Sequence, residues 1–233
     1  MELKTHKKTA LILGATELVG RKCLLQLLQH DAYQKVVLLL EEPLDFEHSK
    51  LEIHQVLFEK LERYQHLMKV DDVYYTWGSQ MKIAAKSKHY KAQQTYAYDL
   101  ANLSQLAGAK QFIFLSSIAA DLNNVLYYRQ EKKDLEIALS KINFWATHIF
   151  QPGPILEEDK SSRGTQLVNK LANRLNNLAG GQLSKYKPID CFTIAKAMIK
   201  MPQRFQAGIH IYSAEFLQEF SKEQEQGLSK NHG

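Results

Sequence analysis

Cysteine is nearly missing from this chain. Cys23 and Cys191 are the only two among 233 residues. They stand far apart and form no CxxC pair, so neither a disulfide framework nor a cysteine zinc site is expected. A reducing compartment, the cytoplasm, is the natural expectation. Long apolar runs are missing too. No stretch approaches the roughly 18 residues that a membrane span needs. The opening MELKTHKKTALILG passes from a basic tip into a short apolar segment. No small-residue cleavage pattern follows it, so no signal peptide is expected. The nine histidines contain no HxxxH or HExxH pair, which leaves no metal site to propose.

What is present is an ordinary globular balance, 45% hydrophobic and 24% charged, enough to build a sizeable core at this length. The net charge is +5. Its excess sits at Lys4, Lys7 and Lys8 and again at Lys82, Lys86, Lys88 and Lys91. No nucleic-acid motif accompanies these charges, so they read as a solvated face and no nucleic-acid partner is expected.

Strand-like and helix-like segments alternate through the first two-thirds of the chain. TALIL (Thr9–Leu13) and KVVLLL (Lys35–Leu40) are continuous apolar runs of buried-strand type. Leu51–Leu57 alternates and suits a strand nearer an edge. Asp72–Trp77, Gln111–Leu115 and Trp145–Phe150 complete six strands. Helical periods fall over Leu18–His30, Gln93–Ala107 and Leu122–Leu139. Buried strands separated by helices predict an α/β, doubly wound, mostly parallel sheet of the Rossmann kind. After residue 151 the pattern changes. Helices are predicted over Thr165–Leu178 and Ile189–Ile199, with a late strand at Gly208–Tyr212. The expected division is a dinucleotide-binding core over 1–151, a small, mainly helical C-terminal portion over 152–220 that shares the cleft, and a frayed polar tail over 221–233. The apolar faces near Ala97–Leu106 and Leu122–Leu139 suit either sheet packing or pairing in a homodimer.

Two stretches carry chemistry. LILGATELVG (Leu11–Gly20) has the strand, glycine turn and helix start that hold a dinucleotide pyrophosphate. Gly14, Ala15, Thr16, Glu17, Leu18 and Gly20 are its candidate lining. In the second, Ser117 closes the strand of FIFLSSIAAD, and Tyr128 precedes Lys132 by one helical i,i+4 step. A phenol titrates near 10, too high for proton exchange near neutrality. An adjacent ammonium favours the phenolate and lowers that value. A serine hydroxyl beside them can hold a carbonyl or alcohol oxygen. Tyr127 competes, but its i+4 partner is Glu131, whose charge acts the other way. Ser79, Gln80 and Gln151 are too generic to assign.

The segments LILGATELVG, FIFLSSIAAD, YYRQEKKDLE and FQPGPIL resemble, in order and spacing, the short-chain dehydrogenase/reductase superfamily. They are most similar to its atypical branch related to the Tat-interacting-protein type of oxidoreductase, from about Thr9 to Met201. The resemblance implies Ser117, Tyr128 and Lys132 as catalytic residues and hydride exchange between a nicotinamide and a small carbonyl or alcohol substrate. It also implies that Gly78 runs beside the cofactor and that Pro152 belongs to the loop over the nicotinamide.

The departures from that pattern are acidic. Relatives usually carry glycine at Glu17, arginines after the second strand where Glu41 and Glu42 stand, and aspartate at Leu57. A carboxylate about 4 Å from a phosphate charge, at an effective dielectric near 20, costs about 4 kcal/mol, or roughly three decades of affinity. Glu17 therefore reads either as an internal anion in the pyrophosphate position or as an exposed first-turn residue facing water. Glu41, about 20 residues past the turn, suits a ribose 2′-hydroxyl and repels a 2′-phosphate, so NAD is expected over NADP. Leu57 reads as a packing residue. The alternative to an enzyme is a non-catalytic descendant that senses a nucleotide or binds a protein through an impaired cofactor site at Glu17, Glu41 and Leu57.

Overall fold

A computed structural model describes residues 7–77, 88–116, 125–156 and 188–230. Seven strands form one sheet: β1 (Lys8–Leu13), β2 (Tyr33–Leu40), β3 (Leu51–Gln55), β4 (Asp72–Tyr75), β5 (Gln111–Leu115), β6 (Ala146–Phe150) and β9 (Gly208–Tyr212). Two short strands, β7 (Ile155–Leu156) and β8 (Ile189–Asp190), pair separately. The large sheet has the order β3-β2-β1-β4-β5-β6-β9, and every pairing in it is parallel. That is the doubly wound order, with its reversal between β1 and β4.

Both faces of the sheet are covered, as unbroken apolar strands require. In β1, Ala10 and Ile12 enter one core while Leu11 and Leu13 enter the other. The first core is closed by helix α1 (Leu18–Gln29), helix α4 (Cys191–Lys200) and helix α5 (Ala214–Lys230). The second is closed by helix α2 (Lys88–Leu106), helix α3 (Val125–Ser140) and a 3-10 segment, Phe58–Met68, that periodicity did not predict. Its kink at Lys60 (φ −135°, ψ 37°) breaks any helical repeat. Ala97, Leu100 and Ala101, one candidate dimer face, lie buried against this sheet.

Three features of the packing concern the C-terminal part of the chain. Beyond residue 151 the late strand β9 extends the main sheet beside β6, and α4 packs on α1 through Ile194 and Met198. The presumed tail is helical as far as Lys230, because Leu217 and Phe220 anchor α5 in the core. The two cysteines, distant in sequence, meet across the α1–α4 contact. Burial raises the Cys23 thiol far above its ordinary value, and Cys191 adds to that rise. The predicted helix Thr165–Leu178 lies outside the described residues.

Candidate functional site

At the reversal point the chain leaves β1 and turns at Gly14, whose φ is +97°. An L side chain is strained there, and a Cβ would strike the backbone of Trp77 just past β4. Gly20, in the first turns of α1, is equally constrained: a Cβ would collide with the Gly14 carbonyl and lie 2.5 Å from the Thr76 hydroxyl. Thr76 itself is tied to β1, its Oγ1 donating to the Leu13 carbonyl at 3.1 Å. The turn is thus pressed onto the exit of β4, and no larger residue fits at either glycine.

Within the turn, Ala15 is buried, Thr16 is exposed and Leu18 is half-buried. Glu17 occupies the N-cap of α1, and its side chain caps no helix N–H. Its backbone N–H donates to the Gly14 carbonyl at 3.1 Å. The residue is half-buried, not turned fully into water. The phenol of Tyr75 lies deep at the end of β4. Burial raises its pKa well above the ordinary range, and the Glu17 charge is the next cause.

Glu41 follows β2 and is exposed. Its carbonyl accepts from Gln55 Nε2 at 2.7 Å, and its Oε1 lies 3.5 Å from the Phe58 backbone nitrogen. Leu57 is 53% exposed, so it is not a packing residue. The core position belongs to Phe58 beside it. Phe58 meets Trp77 edge-on at 4.9 Å, and Trp77 stacks on Tyr96 at 5.7 Å with an interplanar angle of 7°. Sequence reasoning missed this trio. Its only signal was an aromatic next to each of two assigned positions, Leu57 and Gly78. Burial raises the Tyr96 phenol, and Glu59, Glu41 and Asp99 add to the rise, so carboxylates surround this corner.

Of the residues assigned from the resemblance, Ser117 and Gly78 lie outside the described residues. Tyr128 falls within α3, one i,i+4 step before Lys132. Lys132 is half-buried, and burial lowers its ammonium to about 8, against the opposing pull of Glu136. Glu136 Oε2 accepts from Gln151 Nε2 at 2.7 Å, which joins α3 to the exit of β6. The neighbouring Pro152 is buried. Glu136 was not anticipated, and Gln151 looked too generic to assign. The readable signal was the second i,i+4 step, Lys132 to Glu136. Among the described residues no group of three His, Cys, Asp or Glu side chains is placed to hold a metal. Among them, too, no helix is long and apolar enough to cross a membrane.

No family model matches the chain. It is 28% identical over 203 residues to protein HTATIP2 of Rattus norvegicus, covering 85% of this chain and 82% of that one. It is 27% identical over 201 residues to the protein FMP52, mitochondrial, of Candida albicans, covering 83% and 87%. Among solved structures it is similar to the Bordetella bronchiseptica enzyme WbmH in complex with NAD+, with TM-score 0.63, 13% identity, and coverage of 90% of this chain and 76% of that one. It is also similar to the oxidoreductase ylbE of Lactococcus lactis, with TM-score 0.61, 17% identity, and coverage of 92% and 97%. The sheet order and these likenesses give the chain a Rossmann-like α/β fold, and its sequence resembles the Tat-interacting-protein type of atypical short-chain dehydrogenase/reductase.

Proposed function

We propose that the chain is a dinucleotide-dependent oxidoreductase acting on a small carbonyl or alcohol, with Tyr128 as proton donor and acceptor. The observation that carries this reading is Lys132. An ammonium held near 8 inside a helix face, one i,i+4 step from a tyrosine, is costly for stability alone and useful for tuning a phenol. Glu136 keeps that ammonium charged near neutrality, and Gln151 orients Glu136. Ser117 holds the substrate oxygen beside the phenol.

The crevice suits a dinucleotide. Gly14 and Gly20 bring the start of α1, with its backbone N–H groups, onto the exit of β4, as a pyrophosphate requires. The bound group supplies or accepts the hydride. NAD is the preferred form. Glu41, with Glu59 and Asp99 near the same corner, opposes a 2′-phosphate. WbmH, of like fold, is described in complex with NAD+. The expected partner is the substrate alone, with no nucleic acid or membrane. A homodimer is tested by light scattering. The expected compartment is the cytoplasm, and the mitochondrial label of the fungal relatives makes fractionation the check.

The test is calorimetric titration of the full chain with NADH and NADPH. NADH should bind tighter by at least about tenfold, and Glu17→Gly should tighten both. Failure to bind either form sinks the enzyme and supports the non-catalytic alternative. A preference for NADPH overturns the role given to Glu41.

A further inference from the structure

The opposite edge of the sheet, where the strands begin, holds a cavity of about 330 Å³ that the cofactor crevice does not use. Its floor is two ion pairs. Lys8 Nζ contacts Asp72 Oδ2 at 2.8 Å, and Lys110 Nζ lies 3.5 Å from Asp71 Oδ1. Its walls are two exposed aromatics, Trp145 just before β6 and Phe205 just before β9.

The two pairs differ in a way that matters for a ligand. The Lys8–Asp72 pair is closed. Asp72 is fully buried and also accepts from the Tyr33 hydroxyl at 2.5 Å and from Gln111 Nε2 at 2.9 Å. Phe205 covers the Lys8 ammonium, which lies 4.8 Å from the ring centre. The Lys110–Asp71 pair is open. Its Nζ···O separation is long for a charged hydrogen bond, and the lysine side chain is 64% exposed. The other Asp71 oxygen already accepts from the Thr9 N–H at 2.9 Å.

Phe205 adds a separate observation. It has φ 51° and ψ 50°, and among the described residues it alone, apart from glycines, has a positive φ. A bulky residue in left-handed backbone is rare, and such strain collects at ligand clamps. Phe205 closes the 3-10 turn Pro202–Arg204 and holds its ring, 64% exposed, at the cavity wall over Lys8.

We propose that this cavity is a second binding site, one that takes a neutral planar aromatic molecule carrying an amide-like edge. The ring lies against Trp145 and Phe205, and the edge inserts between Lys110 and Asp71, accepting from the ammonium and donating to the carboxylate. The charges select neutrality: two lysines and two aspartates sum to zero, so a bare anion or cation gains at one pair member what it loses at the other. The volume selects size. It sits at the low end of the roughly 300–1,000 Å³ range of ligand pockets, which suits one or two rings and not a dinucleotide. The site lies at the far edge from Gly14, so it stands or falls independently of the proposed oxidoreductase activity.

The experiment is two-dimensional NMR of the full chain titrated with benzamide, benzoate and benzylamine. Benzamide should shift the Trp145 indole N–H and the Lys110 and Gln111 amides, leave the Trp77 indole in place, and bind at least about tenfold tighter than either charged probe. Phe205→Gly, which suits the left-handed backbone, should lose about tenfold in benzamide affinity while keeping its melting temperature. Lys110→Ala, at an exposed position, should lose a similar factor and serves as the test if Phe205→Gly fails to fold. An unmoved Trp145 signal, equal binding of the charged probes, or wild-type affinity in the folded variants would overturn the proposal.

Discussion

The two edges of the sheet solve opposite problems. At the carboxyl edge the important groups are backbone: Gly14 and Gly20 have no side chains because Trp77, Thr76 and the turn itself fill that space. At the amino edge the important groups are buried side chains that satisfy one another. Asp72 accepts from Lys8, Tyr33 and Gln111. The Tyr33 oxygen also meets the Tyr74 hydroxyl at 2.9 Å and accepts from Gln203 at 2.8 Å. Since Gln111 donates through Nε2, its Oε1 accepts from His148 Nε2 at 3.1 Å. His148 Nδ1 then accepts from the Tyr212 hydroxyl. The network thereby selects one neutral tautomer. One edge presses backbone against backbone, and the other starts a polar network that ties β1, β2, β4 and β5 through His148 of β6 to Tyr212 at the end of β9. A buried polar network is costly when incomplete and specific when complete.

This contrast can be broken by substitution. The largest effect is expected from Asp72→Ala. It strands the Lys8 ammonium, only 13% exposed, and should cost about 3–5 kcal/mol in denaturant unfolding while leaving NADH affinity unchanged in the folded fraction. Gly14→Ala should come next, at about 2–4 kcal/mol, because it places a Cβ at φ +97° against Trp77. Unlike Asp72→Ala it should also abolish NADH binding by calorimetry. If the two variants show the same pattern, the edges are not functionally distinct.

Acid supplies a finer test. Burial, then His210 and Lys8, lower His148 to about 3. Between about pH 6.5 and 3 the unfolded chain binds a proton that the folded chain does not, so stability falls with acid by about 1.4 kcal/mol per pH unit from this group. His148→Gln should flatten that slope in urea titrations at several pH values. Lys132 runs in a higher window. Its lowered value means that stability from this group rises between about pH 8 and 10.4, so Lys132→Met should raise the melting temperature at pH 7 by a few degrees. A lower melting temperature would show that the charge is structural. Leu57→Ser, at an exposed position, should stay within about 0.5 kcal/mol of the parent.

Much of the fold was legible because it is written in local spacing. The runs at Thr9–Leu13, Lys35–Leu40 and Gln111–Leu115 carry their own burial pattern, and the alternation at Leu51–Leu57 foretold the edge strand β3. The glycine turn was equally readable, since Gly14 and Gly20 answer a steric demand that any residue with a Cβ fails. Other features left little local trace. Leu57 and Phe58 are adjacent apolar residues, and only the kinked 3-10 segment decides which one faces the core. Glu17 offered two orientations from sequence, and the structure leaves it half-buried at the N-cap of α1.

By itself the sequence determined the alternation of elements, the parallel doubly wound class and the place of the glycine turn, because periodicity and glycine sterics act over a few neighbouring residues. Tertiary structure alone decided that β9 joins the sheet, that Cys23 meets Cys191, and that Lys8, Tyr33, Asp72, Gln111, His148 and Tyr212 share one polar network. Such meetings depend on the packing and register of elements distant along the chain, and neither leaves a signature in local spacing.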